Sequence, residues 1–149
     1  MELKLKAVSP RLGADLPLPF YASAGAAGMD LCACLDTPLT LAPHQIARIP
    51  TGLAIALPSA DYVALVFARS GLGIKHGVAL ANGVGVIDSD YRGEIQVGLI
   101  NQSDTPYTIA PGERIAQLAV LPVVRPDLTW VDTLDETERG AGGFGSTGK

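Results

Sequence analysis

Apolar and polar residues in this chain alternate with a period of two far more often than they recur every three or four positions. Leu3-Lys4-Leu5-Lys6 alternates cleanly, and so does Ile95-Gln96-Val97-Gly98-Leu99. Successive side chains of an extended backbone point to opposite faces, so such stretches build strands with one face turned inward. Ile46 to Leu57, Tyr62 to Ala68 and Arg114 to Val120 are β-compatible runs bounded by Pro, Gly or Asp. The 17 Gly and 11 Pro are spread evenly and leave little uninterrupted chain for a helix. One helical turn is predicted, over Gly71 to His76 after Arg69-Ser70. Short strands with frequent turn signals predict an all-β sandwich or barrel.

Composition narrows the class. A chain of 149 residues, 48% hydrophobic, suits one domain with a real core. A net charge of -4 and a pI near 5.0 argue against a general nucleic-acid or membrane-surface binder. A phosphorylated small molecule needs only a few local cations and stays possible. No basic segment followed by an apolar one opens the chain, so no signal peptide is expected. Ile115 to Val124, the most apolar stretch, is about half the length needed to span a bilayer. Cys32 and Cys34 stand one residue apart on a strand-like stretch, which points them to opposite faces. Reduced thiols in a cytoplasmic protein are the expectation. Composition shifts near Thr133, so the packed domain is taken as residues 1–134 and a glycine-rich segment as 135–149.

Several stretches combine groups that suit chemistry. "ARSGLG", Ala68 to Gly73, offers a guanidinium, a hydroxyl and backbone N–H groups where a strand turns into a helix. That set suits phosphate oxygens, although Ser70 could equally be an ordinary N-cap. In "NGVGVIDSDYRGEI", Asn82 to Ile95, turn signals imply a tight hairpin or connected loops. Asp88 there is either a base at a pocket edge or, with Asp90, the cap of a turn, and Tyr91 can present its ring to a sugar or base. Asp30 lies among apolar residues in "GMDL" and must be paired, hydrated or near a metal. Gln117, inside the apolar run of "PGERIAQL", suits a structural hydrogen bond. His44 and His76 have no neighbours at metal-ligand spacing, and neither a zinc site nor a Ser-His-Asp triad can be assembled. An oxygen-ligated Mg²⁺ carried in by substrate phosphates is the metal that would fit.

Taken in order, five segments resemble the motifs of the trimeric dUTP pyrophosphatases. They are "AGMDL" (27–31), "RSGLG" (69–73), "GVGVIDSDYRGEI" (83–95), "GERIAQL" (112–118) and "RGAGGFGSTG" (139–148). The resemblance implies an all-β, jelly-roll-like distorted barrel and a homotrimer whose active sites are shared between chains. It implies Mg²⁺-dependent hydrolysis of dUTP to dUMP and pyrophosphate, which keeps uracil out of DNA and supplies dUMP for thymidylate synthesis. Related dCTP deaminases and bifunctional deaminases share the fold, as would an idle nucleotide-binding module. The complete C-terminal motif and the absence of an evident deaminase glutamate stand against them.

Carried over by the resemblance, Asp88 would orient and deprotonate the attacking water. An ordinary aspartate, with a pKa of about 3.9, is a feeble base, so positioning and charge stabilisation must do most of the work. Tyr91 would lie against the deoxyribose and exclude a ribose 2′-hydroxyl. Uracil would be read by backbone of the 82–96 hairpin, with Asn82, Val86, Ile87 and Gln96 around it. Arg69, Ser70 and Gly71 would hold phosphates, with Gln117 helping to place the chain or the water. Asp30 matches a position associated with Mg²⁺, through waters. In the tail, Arg139, Ser146 and Thr147 would grip the outer phosphates while Phe144 stacks on uracil, making residues 135–149 a lid.

Overall fold

Twelve strands and one short helix form among residues 1–143, the part of the chain that this computed structural model describes. In chain order the first six strands are β1 (Lys4–Ala7), β2 (Phe20–Tyr21), β3 (Met29–Cys32), β4 (Leu39–Leu41), β5 (Ile46–Pro50) and β6 (Leu53–Ala56). Strand β7 (Tyr62–Ala68) runs into helix α1 (Ser70–His76). The rest are β8 (Val78–Leu80), β9 (Gly85–Ile87), β10 (Gln96–Asn101), β11 (Tyr107–Ile109) and β12 (Arg114–Pro122). Phe144, Ser146 and Thr147 lie outside the described residues.

The strands make four antiparallel sheets, ordered β2-β3-β12-β7-β9, β5-β10-β8, β1-β6 and β11-β4. The all-β expectation is met, but the described strands do not close into one barrel. Leu31, Leu41, Ile49, Leu99, Ile109, Ile115 and Leu118 are almost wholly buried in the core. Each such side chain contributes about 1.5–3 kcal/mol by leaving water. Strand β10 keeps its expected alternation, with Val97, Leu99 and Asn101 inside and Gln96 outside. Buried Asn101 is satisfied, donating to the carbonyls of Leu41 (3.1 Å) and Thr105 (2.8 Å) and accepting from Ser103.

Two expected strands differ. The run from Ile46 to Leu57 is cut at Gly52, whose φ of 69° is a left-handed conformation that favours glycine. A Cβ there would also come within 3.0 Å of Cys34 Sγ and Ser9 Cβ. The two halves join different sheets, β5 beside β10 and β6 beside β1. Strand β1 alternates in sequence, yet all four of its residues are exposed, because only β6 pairs with it among the described residues.

Both cysteines are free, Cys32 buried and Cys34 half-buried. Burial, and then the nearby Asp30 charge, pushes the Cys32 thiol up from its ordinary value. No helix of the described residues is long and apolar enough to cross a membrane. The last strand ends at Pro122, and the Val123 N–H bonds the Asp61 carbonyl at 2.8 Å. Beyond it residues 124–138 form no strand, and they hold Trp130 99% exposed together with exposed Val124, Leu128 and Leu134.

Candidate active site

The segment from Asn82 to Gln96 does not fold back on itself as one hairpin. Strand β9 pairs with β7, whereas β10 pairs with β5 and β8, so the segment bridges two sheets as connected loops. A cavity of about 530 Å³ lies along it, lined by Asn82, Val86, Ile87, Asp88, Tyr91 and Gln96 among others. Asn82, Val86, Ile87, Tyr91 and Gln96 were expected around the nucleoside and Asp88 at the attacking water. Arg48 and Glu94 also line it and were not singled out by sequence.

Asp88 follows the last residue of β9 and is exposed. Its main-chain carbonyl accepts the Tyr91 N–H at 3.2 Å, closing a turn. The backbone therefore makes the turn, and the Asp88 carboxylate takes no hydrogen bond among the described residues. Tyr91 is held tightly instead: its hydroxyl donates to the Glu94 carbonyl at 2.9 Å. Asp88 thus offers a free carboxylate beside a fixed aromatic ring.

A second cluster forms at the other end of β7. Asp30, 1% exposed, accepts from Arg114 Nη1 at 3.1 Å through Oδ2. Arg69 Nε stands 3.2 Å from Oδ1, close enough for an ion pair but out of line for a hydrogen bond, which leaves both atoms buried without one. Arg69 Nη1 also donates to the Arg114 carbonyl at 3.0 Å. Arg69 is therefore anchored at Nε and Nη1, and its Nη2 has no protein partner among the described residues. The N-cap of α1 is Arg69 with no side-chain cap, so Ser70 is not the N-cap and its hydroxyl is unused there. A Cβ at Gly71 would meet nothing within 4 Å.

Gln117 sits opposite Asp30 on β3 and Phe67 on β7, which puts the three on one face of the sheet. Its side chain makes no hydrogen bond among the described residues, contrary to the structural role expected for it. Asp30 does not fit a magnesium ligand, even through water, because both of its oxygens face guanidinium groups. No group of three His, Cys, Asp or Glu able to hold a metal occurs among the described residues. Arg139 is exposed, its Nε donating to the Gly142 carbonyl at 2.8 Å.

The two clusters are separate within one chain. Ile87, just before Asp88, pairs with Ala64, and Arg69 lies five residues further along. At 3.3 Å per residue that is about 17 Å. None of Asp30, Arg69, Ser70, Gly71 or Gln117 lines the cavity that holds Asp88. Arg114 was the residue sequence reading overlooked. A buried carboxylate calls for cations, but only the β3–β12 register, with Arg114 opposite Cys32 two positions from Asp30, shows which one answers.

The dUTPase family profile matches residues 14–148. The chain belongs to the dUTPase family. A deoxyuridine 5'-triphosphate nucleotidohydrolase of Desulfitobacterium hafniense (strain DSM 10664 / DCB-2) is 58% identical over 146 residues, covering 98% of this chain and 97% of the relative. That of Serratia proteamaculans (strain 568) is 50% identical over 148 residues, with 99% and 97% coverage. A Staphylococcus bacteriophage 80alpha dUTPase solved with dUPNHPP superposes with a TM-score of 0.86 at 28% identity, covering 99% of both chains. The fold of this dUTPase-family chain is thus the family's own.

Proposed function

We propose that the chain hydrolyses dUTP to dUMP and pyrophosphate by attack of water on the α-phosphorus. The observation that carries this reading is the free Asp88 carboxylate beside the clamped Tyr91 ring in one cavity, on a chain whose family and relatives are dUTPases. The water oxygen forms a bond to the α-phosphorus and the bond from that phosphorus to the bridging oxygen breaks, releasing pyrophosphate. Asp88 orients the water and accepts its proton. Tyr91 occupies the space of a 2′-hydroxyl, while Asn82, Val86, Ile87 and Gln96 surround uracil with main-chain groups.

Arg69, Ser70, Gly71 and Gln117 hold the triphosphate, with Arg69 presenting Nη2. Asp88 and Arg69 of one chain are too far apart to serve one α-phosphate, so a neighbouring copy supplies the second cluster and the working unit is a homotrimer. The exposed apolar arm with Trp130 supports association, since a single chain leaves it uncovered. A magnesium ion carried in by the triphosphate would supply charge neutralisation there, held by no carboxylate of Asp30, whose oxygens face Arg69 and Arg114. Residues 1–134 act as the nucleotide-holding body, and residues 135–149 as a lid in which Arg139, Phe144, Ser146 and Thr147 close over phosphates and base. Two unbridged cysteines suit a cytoplasmic location.

The test measures pyrophosphate and monophosphate release from dUTP, dTTP, dCTP and UTP, with and without Mg²⁺, for wild type and Asp88→Asn. Turnover selective for dUTP that falls by about 10²–10⁴ in the variant is expected. Ammonia release from dCTP would move the chain to the deaminases, and dUTP binding without turnover would make it an idle module.

A further inference from the structure

Glu94 takes no part in the chemistry above, yet it ties three pieces of the cavity together. Its carboxylate accepts the Gly52 N–H at 2.7 Å through Oε1 and the Gln96 side-chain amide at 3.2 Å through Oε2. Its main-chain carbonyl accepts the Tyr91 hydroxyl at 2.9 Å. Ile95 adds to the same seam, donating its N–H to Leu53 at 2.7 Å and accepting the Thr51 hydroxyl at 2.6 Å. The far end of the 82–96 segment is thus stitched to the turn between β5 and β6, and Tyr91 is stitched to that end.

Gly93 completes the clamp. A Cβ there would stand 2.7 Å from Tyr91 Cζ and closer still to the hydroxyl, so only glycine lets the ring lie down on the main chain. The ring is held from below by Gly93 and at its tip by Glu94.

We propose that Glu94 is a positioning residue for sugar specificity: its carboxylate ties the stretch to Gly52 and the Gln96 side chain while its main-chain carbonyl holds the Tyr91 ring there, so that ribonucleotides are refused by rigidity. The proposal rests on Tyr91 facing the deoxyribose, as read in the previous subsection. A ring on a loose segment swings aside for a 2′-hydroxyl at little cost. A clamped ring must break its hydroxyl bond and lift off Gly93 first, and that difference falls on UTP alone.

The experiment compares kcat/KM for dUTP and UTP in the full-length wild type, Glu94→Ala, Glu94→Gln and Gly93→Ala, alongside thermal melting. Glu94→Ala is expected to lower the dUTP-to-UTP ratio about tenfold, the worth of one good hydrogen bond, with the change carried in KM. Glu94→Gln keeps an oxygen for the Gly52 N–H and is expected to hold the ratio within about threefold of wild type. Gly93→Ala pushes the ring off the main chain and breaks the Tyr91 hydroxyl bond while leaving both carboxylate bonds of Glu94 in place, and should shift the ratio the same way as Glu94→Ala. If Glu94→Ala does not fold, Gly93→Ala decides the matter. A lowered melting temperature with an unchanged ratio in the variants overturns the proposal and leaves Glu94 a purely structural residue. A wild type that turns over UTP as readily as dUTP overturns the Tyr91 reading itself, and is seen before any variant is made.

Discussion

Asp88 and Arg69 of one chain lie at opposite ends of β7: the residue before Asp88 pairs with Ala64, and Arg69 lies five residues on from Ala64, about 17 Å of extended strand. In the shared site proposed above, each belongs to one half. If one nucleotide spans halves from two copies, chains damaged in different halves should complement one another. The Asp88→Asn and Arg69→Ala proteins are each expected to be nearly inactive. Co-refolding them in equal amounts should restore up to roughly a quarter of the sites, the fraction that draw Asp88 from one variant and Arg69 from the other. Mixtures that stay as inactive as their parents would exclude shared sites.

Asp30 binds two arginines while almost wholly buried, so its charge matters to both stability and site geometry. Asp30→Ala leaves Arg69 and Arg114 facing each other without a counter-ion. The partial exposure of both guanidiniums limits the penalty to about 2 kcal/mol, or a melting temperature lower by about 4–8 °C. Differential scanning calorimetry reads this directly. Affinity for the triphosphate should weaken in parallel, because Arg69 loses its anchor; unchanged affinity would mean that Arg69 is placed by its backbone alone.

Tyr107 supplies a pH-dependent contribution far from the cavity. Its hydroxyl donates to Glu113 Oε1, and its ring lies against His76 with centroids 4.8 Å apart. Burial first, and then that hydrogen bond, pushes the phenol up to about 12. An unfolded tyrosine titrates near 10, so folding favours the protonated form. The contribution is complete below pH about 10 and is lost as pH rises towards 12. Chemical denaturation across that range should show wild-type stability falling more steeply than that of Tyr107→Phe. Equal slopes would show that the raised phenol contributes nothing.

Truncation after Glu138 removes the lid from Arg139 onward. It should leave melting temperature and subunit number unchanged and abolish most dUTP turnover, since the segment begins beyond every strand of the described residues. A truncated chain with full activity would reduce the segment to a passive tail.

Much of this architecture is legible locally. The β-compatible run Tyr62–Ala68, the alternation over Ile95–Leu99, the single helical turn after Arg69 and the breaks at Gly and Pro are properties of neighbouring residues, and the structure keeps them. Asn82, Val86, Ile87, Asp88, Tyr91 and Gln96 share one cavity because a short segment of chain can turn only so far between its ends. What the tertiary structure alone decided is register. Which strand lies beside β3, and at what offset, sets Arg114 and Arg69 on Asp30 and turns an expected metal neighbour into the centre of an ion-pair cluster. Likewise Glu94 looks like an ordinary turn carboxylate until β10 docks on β5 and brings the Gly52 N–H to it. Pairing between distant strands is chosen by total burial and hydrogen bonding over the whole fold, and that sum is not written in any one stretch of sequence.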